Sequence, residues 1–117
     1  MKRDDDLIRR LLLDYENDED WLLLVPGDTS SASAEERREH GNVLIMMDEG
    51  LLAPVGRGTM RLTAQGHDYL AAIRDEGVWK KTKDVATGVG GVTLGIMKEI
   101  SIAYLKQLVA ERFGVKL

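Results

Sequence analysis

The sequence predicts an α+β fold: helix, strand, helix, two-stranded hairpin and helix, followed by a C-terminal helical extension. Three observations predict it. Apolar residues recur at spacings of three and four over several stretches, which is the signature of amphipathic helices. Two short strand candidates flank Gly56-Arg57-Gly58-Thr59, a loop of the length and glycine content that closes a hairpin. The 117 residues are 44% apolar and 31% charged with two prolines, a globular composition long enough for one hydrophobic core. We assign that core to residues 1–87 and read residues 88–117 as a C-terminal helix that mediates dimerisation.

The first helix is expected over residues 4–16, where Leu7, Ile8, Leu11, Leu12 and Tyr15 form one face and Asp4, Asp5 and Asp6 complement the positive end of the dipole. A polar run ends it. Residues 21–25 are apolar and are expected as a strand, closed by the turn Pro26-Gly27-Asp28. Ser33 and Glu36 have the spacing of a capping box, so a second helix should span residues 34–49, with Gly50 as the left-handed residue after it and Leu51 making the accompanying apolar contact. Strands are expected at residues 51–55 and 60–63. Thr63 is placed to cap a helix carrying Tyr69, Leu70 and Ile73, which continues or breaks near Gly77 before Val78 and Trp79. Gly66 would let this helix lie close to a strand. Beyond the interruption at Gly88-Val89-Gly90-Gly91, a last helix over residues 92–113 carries two apolar stripes. Met97, Ile100, Tyr104 and Leu108 form the first, and Ile102, Leu105, Val109 and Phe113 the second, so the apolar arc exceeds what one core requires.

Charge is distributed unevenly. The formal total is -4, but residues 1–56 carry -8 and residues 57–117 carry +4. The absence of cysteine excludes a disulfide framework, a thiolate nucleophile and a cysteine-built metal site, and two histidines, His40 and His67, exclude a histidine-rich one. No apolar run approaches the roughly 20 residues that span a bilayer, and the acidic start is unlike a secretory leader. A soluble, cytoplasmic protein without membrane contact is the expectation. His40 lies on an apolar face with Glu36 as its i-4 partner, and His67 falls in the first turn of its helix. No nucleophile elbow, H-E-x-x-H or G-x-G-x-x-G occurs, and the glycine-rich Gly88-Val89-Gly90-Gly91 lacks the lysine of a P-loop. No enzymatic activity, cofactor or metal is expected.

The helix ending in Glu49-Gly50-Leu51-Leu52, the basic glycine hairpin and Arg61-Leu62-Thr63-Ala64-Gln65-Gly66 resemble the recognition-helix and wing region of winged-helix transcription regulators. Their shared pattern runs E-x-G-L, wing, L-T-x-x-G. A second resemblance covers nearly the whole chain. Met1-Lys2-Arg3-Asp4, Asp6-Leu7-Ile8-Arg9, His40, Leu62-Thr63 with Gly66-His67, Ile73-Arg74-Asp75 and Trp79-Lys80-Lys81-Thr82-Lys83 resemble an uncharacterised family of small bacterial and phage-borne proteins, which begin M-K-R-D and carry a central L-T-x-x-G-H. It implies a winged-helix-like architecture and a mobile-element setting, and supplies no catalytic or binding residue. One departure stands out: the short helix that normally precedes a recognition helix is replaced by residues 21–28.

On a helical wheel Glu36, His40, Val43, Leu44 and Met47 should face inward, with Arg38, Asn42, Glu35, Glu39 and Glu49 outward and Ile45 and Met46 at the margins. Two functions from different classes follow. The first is a dimeric regulator from a bacterial mobile element or prophage that binds double-stranded DNA. In it Arg57, Arg61, Lys80, Lys81 and Lys83 meet phosphates, and Arg38 and Asn42 read base edges. The second is a protein-binding adaptor or inhibitor that keeps the fold and uses the acidic helix face with Ile45 and Met46. In both, the second stripe of the last helix (Ile102, Leu105, Val109, Phe113) forms a homodimer seam.

Overall fold

The computed structural model describes residues 1–27 and 29–117; Asp28, the last residue of the turn expected after the first strand, lies outside them. The architecture is α+β. Among the described residues it comprises five helices and one three-stranded antiparallel sheet. The chain divides into two compact units, Met1–His67 and Asp68–Leu117.

The first unit opens with α1 (Asp5–Asn17), capped by the Asp4 carboxylate, which accepts the Leu7 amide at 3.0 Å. Its buried face is Leu7, Ile8, Leu11 and Leu12. The expected strand at residues 21–25 contracts to β1 (Leu23–Leu24). α2 (Ala34–Asp48) starts at the expected capping box, with Ser33 Oγ accepting the Glu36 amide and the Glu36 carboxylate accepting the Ser33 amide. It ends in a Schellman arrangement: Gly50 has φ +77°, Leu51 N–H donates to Met46 O, and Gly50 N–H donates to Met47 O. Leu51 and Met46 are both fully buried, which supplies the apolar contact of this motif.

β2 (Leu52–Pro54) and β3 (Thr59–Leu62) form the hairpin, in register Leu52 to Leu62 and Pro54 to Met60. Strand order is β1-β3-β2, so β3 is central. Pro54, which has no N–H to donate, accordingly falls on an edge. Thr63 then joins two elements. Its hydroxyl donates to Gly50 O and accepts the Gly66 amide, capping α3 (Ala64–Ile73) while holding it to the end of α2. Gly66 is required there, because a Cβ would overlap the Leu51 carbonyl oxygen.

In the second unit, α4 (Glu76–Gly88) packs against α5 (Leu94–Phe113). The break between α3 and α4, expected near Gly77 if at all, falls just before it because the Asp75 carboxylate caps the Val78 amide at 2.9 Å. There are therefore three helices after the hairpin rather than two. Thr93 caps α5, starting it two residues later than expected, and the connection from α4 passes through Gly90 and Gly91, both at positive φ. Val78, Trp79 and Thr82 are buried on α4, and Leu94, Met97 and Ser101 on α5.

Two glycines give opposite outcomes on substitution. Gly66→Ala should destabilise the protein by about 3 kcal/mol, because it is the backbone that must give way. Gly41 lies inside α2, where a Cβ would meet open space, and should gain about 0.5–1 kcal/mol as alanine. Denaturant unfolding of both variants measures the pair.

Candidate functional site

The residues assigned to base reading sit in a structural node. Asn42 is 2% exposed; its Oδ1 accepts the Asp4 amide at 2.9 Å and its Nδ2 donates to Arg38 O at 3.0 Å. Arg38 is exposed, and its guanidinium pairs with the Asp4 carboxylate. The wheel expected for α2 is thus rotated. Asn42, expected outward, and Met46, expected at the margin, are buried with Val43, while Leu44, expected inward, is 45% exposed. Ile45 is half-buried. The physical reason is that residues 43–47 are all apolar, so their pattern specifies no direction, and the two hydrogen bonds of Asn42 set the phase. Asn42 can reach no base edge, and Met46 can touch no partner. His40 is half-buried with Nδ1 at 2.9 Å from Pro26 O, and Glu36, its expected partner, is committed to the capping box.

Outside this node α2 presents Glu35, Glu36 and Asp48 as exposed acids, with Glu39 half-buried and within 3.4 Å of Arg10. Arg37 is an exposed cation on the same helix, and the other candidate cations lie elsewhere. Arg57, in the hairpin loop, and Arg61, on β3, are exposed, and neither side chain pairs with another described residue. In the second unit, Lys81 and Lys83 each lie 5.7 Å from a ring centre, over Tyr104 and Trp79 respectively, so two of the three lysines cover aromatics of their own unit. Lys80 is exposed. On α5, Ile102, Leu105 and Val109 are half-buried and Phe113 is 73% exposed.

Sequence reasoning missed the β1 region. Trp21 and Leu24 are each 81% exposed and Leu22 is 53% exposed, whereas Leu23 between them is buried. A strand on a sheet with one covered face buries alternate residues, so an unbroken apolar run there must expose some of them; that was the available signal. A cleft of about 170 Å³ opens beside this run, lined by Glu16, Asp18, Glu19, Asp20, Trp21 and His67 among others. The His67 and Trp21 ring centres are 6.5 Å apart, and His67 Nδ1 is 3.9 Å from Glu16 Oε2, an ion pair only when the histidine is protonated. Tyr15 also lines the cleft. Its hydroxyl is buried with no hydrogen-bond partner among the described residues. Desolvation, then the charges of Glu39 and Asp14, pushes its ionisation well above the usual phenol range, so it is a neutral donor.

No group of three or more metal-ligating side chains occurs among the described residues, and no described helix is long and apolar enough to cross a membrane.

Asp4 gives the node a pH signature. The Leu7 amide first, opposed by burial and then reinforced by Arg38, holds its carboxyl below the ordinary value of 3.8. A lowered folded-state pKa contributes stability that is present above the unfolded value and lost as pH falls through the folded one. Thermal unfolding should therefore lose stability as pH drops below 3.8, and Asp4→Asn, which keeps a capping oxygen, should flatten that decline. A pH series of melting curves for the two proteins checks this.

No curated protein and no solved structure matches the chain. One family model does, over residues 2–93, a span that contains the Asp4–Asn42 node, the sheet with its β1 edge, and α4. The chain belongs to the family described as Hypothetical protein (DUF2513).

Proposed function

We propose that Met1–His67 is a winged-helix-like module that binds protein rather than reading DNA. The carrying observation is the state of the helix that would enter the major groove: Asn42 is buried and satisfied, Arg38 is paired with Asp4, and the exposed carboxylates of Glu35, Glu36 and Asp48 outnumber the one remaining exposed cation, Arg37. Affinity for a duplex comes mainly from cations on phosphates, and this surface would set carboxylates against them. Support for the architecture comes from the β1-β3-β2 order and from a helix leading directly into the hairpin. Between β1 and α2 the described residues form no helix; they include turns at Pro26–Gly27 and Ser30–Ser31, the latter with Ala32 N–H donating to Thr29 O at 3.3 Å. The support a recognition helix normally receives from a preceding helix is therefore lacking. The resemblance to phage-borne proteins supports an adaptor or inhibitor acting in the cytoplasm on behalf of a bacterial mobile element.

A DNA-binding reading is favoured by one observation, the exposed Arg57 and Arg61 on the hairpin, unpaired among the described residues, with Lys80 as a further cation. Fluorescence anisotropy with mixed-sequence duplex decides between the two. The protein-binding reading expects affinity no better than the non-specific range of roughly 10⁻⁴ to 10⁻⁶ M at physiological salt, indifferent to Arg57→Ala with Arg61→Ala. Nanomolar, steeply salt-dependent binding that the double variant abolishes would replace it with the regulator reading.

The second unit supports self-association through α5, where Ile102, Leu105 and Val109 remain half-exposed and Phe113 largely so. Sedimentation should show a dimer at micromolar concentration that Ile102→Asp or Val109→Asp converts to monomer. A monomer unaffected by either change removes the dimer from the proposal.

A further inference from the structure

The β1 edge is built to accept another strand. Val25 N–H donates to Gly58 O at 2.9 Å, and Leu23 and Leu24 stand opposite Met60 and Thr59. In an antiparallel ladder hydrogen-bonded and non-hydrogen-bonded pairs alternate. Val25 and Leu23 thus spend their backbone groups on β3, and Leu24 directs its N–H and C=O to the outer side of the sheet, where no strand lies among the described residues. Soluble proteins normally blunt such an edge with lysine, proline, a bulge or a covering loop. Here it is edged instead by Trp21, Leu22 and Leu24, three large apolar side chains that are half or more exposed.

The surroundings indicate the occupant. Asp18, Glu19 and Asp20 precede Trp21 directly and, with Glu16, wall the adjoining cleft. A second copy of the chain would bring to this edge the same N-terminal half, whose residues 1–56 carry -8, so self-pairing offers no charge complementarity. A strand whose apolar residues cover Leu22 and Leu24 and whose basic residues reach the carboxylates and the face of Trp21 meets complementary charge and a cation-binding ring.

We propose that β1 takes up, by strand addition, an extended segment of a partner protein in which apolar and basic residues alternate. This rests on the protein-binding reading and gives it a surface and a ligand chemistry. The α5 seam is separate from it.

The probe is a fluorescein-labelled eight-residue peptide alternating lysine and valine, with three controls: its glutamate-valine counterpart, a version N-methylated at alternate residues, and a mixed-sequence DNA duplex. Saturable binding of the lysine-valine peptide is expected, with neither peptide control binding. Trp21→Ala or Leu24→Lys should weaken it about tenfold or more, the loss of one buried large side chain. Asp18→Asn with Asp20→Asn should weaken it and flatten its salt dependence. All four positions are exposed, and circular dichroism checks that the variants fold. Peptide should also slow hydrogen exchange at the Leu24 amide, which a peptide held by charge alone would leave unchanged. Binding that survives Trp21→Ala and Leu24→Lys, equal binding of the N-methylated peptide, or no binding at all overturns the strand-addition proposal. If the duplex binds tightly through Arg57 and Arg61 in the same assay, the protein-binding reading itself has failed.

Discussion

The first unit depends on the hydrogen bonding of Asn42. A buried amide left unsatisfied costs about 1–3 kcal/mol, and this one is satisfied at both ends, by the amide of Asp4 and the carbonyl of Arg38. Asp4 in turn caps α1 and pairs with Arg38. One polar side chain thereby holds the start of α1 against α2 and fixes the rotation of α2 about its axis. Val43 and Met46 turn inward as a consequence, and the carboxylates of Glu35, Glu36 and Asp48 turn out. Function inherits this choice, because the two residues best suited to reading bases are consumed in holding two helices together.

The opposite end of α2 is settled by backbone chemistry. The Schellman arrangement at Gly50 delivers Leu51 into the core, and the Leu51 carbonyl then lies where only a glycine at position 66 can approach it. Thr63 bonds Gly50 on one side and caps α3 on the other. The hairpin between them is held at its base on both strands, with Arg61 on the central strand and Arg57 in the loop at its tip.

β1 contrasts with that economy. Two residues long, it and the two residues before it leave three large apolar side chains in water beside a cleft lined by acids. In a monomer such exposure has no stabilising return, and contiguous exposed apolar surface commonly marks a contact with a partner. In the strand-addition proposal the acidic N-terminal half, which speaks against a polyanion, becomes the feature that selects a basic partner.

Local signals were legible wherever a few adjacent residues settle the matter. The capping box of Ser33 and Glu36, the left-handed Gly50, the hairpin around Gly56 and Gly58, the cap at Thr63 and the tight approach at Gly66 all follow from hydrogen bonds and steric limits within several residues of chain. The direction of α2 was not legible, because five consecutive apolar residues surround the helix and its phase depends on a partner 38 positions away. Nor was the fate of Trp21 to Leu24, since an apolar run reads alike whether both faces of its strand are covered or one faces water. Sequence alone determined most of the elements and the caps at Ser33, Gly50 and Thr63, which are set by near neighbours, together with the charge imbalance. Tertiary structure decided which side chains remain available to a partner, because burial is a property of what distant segments bring together.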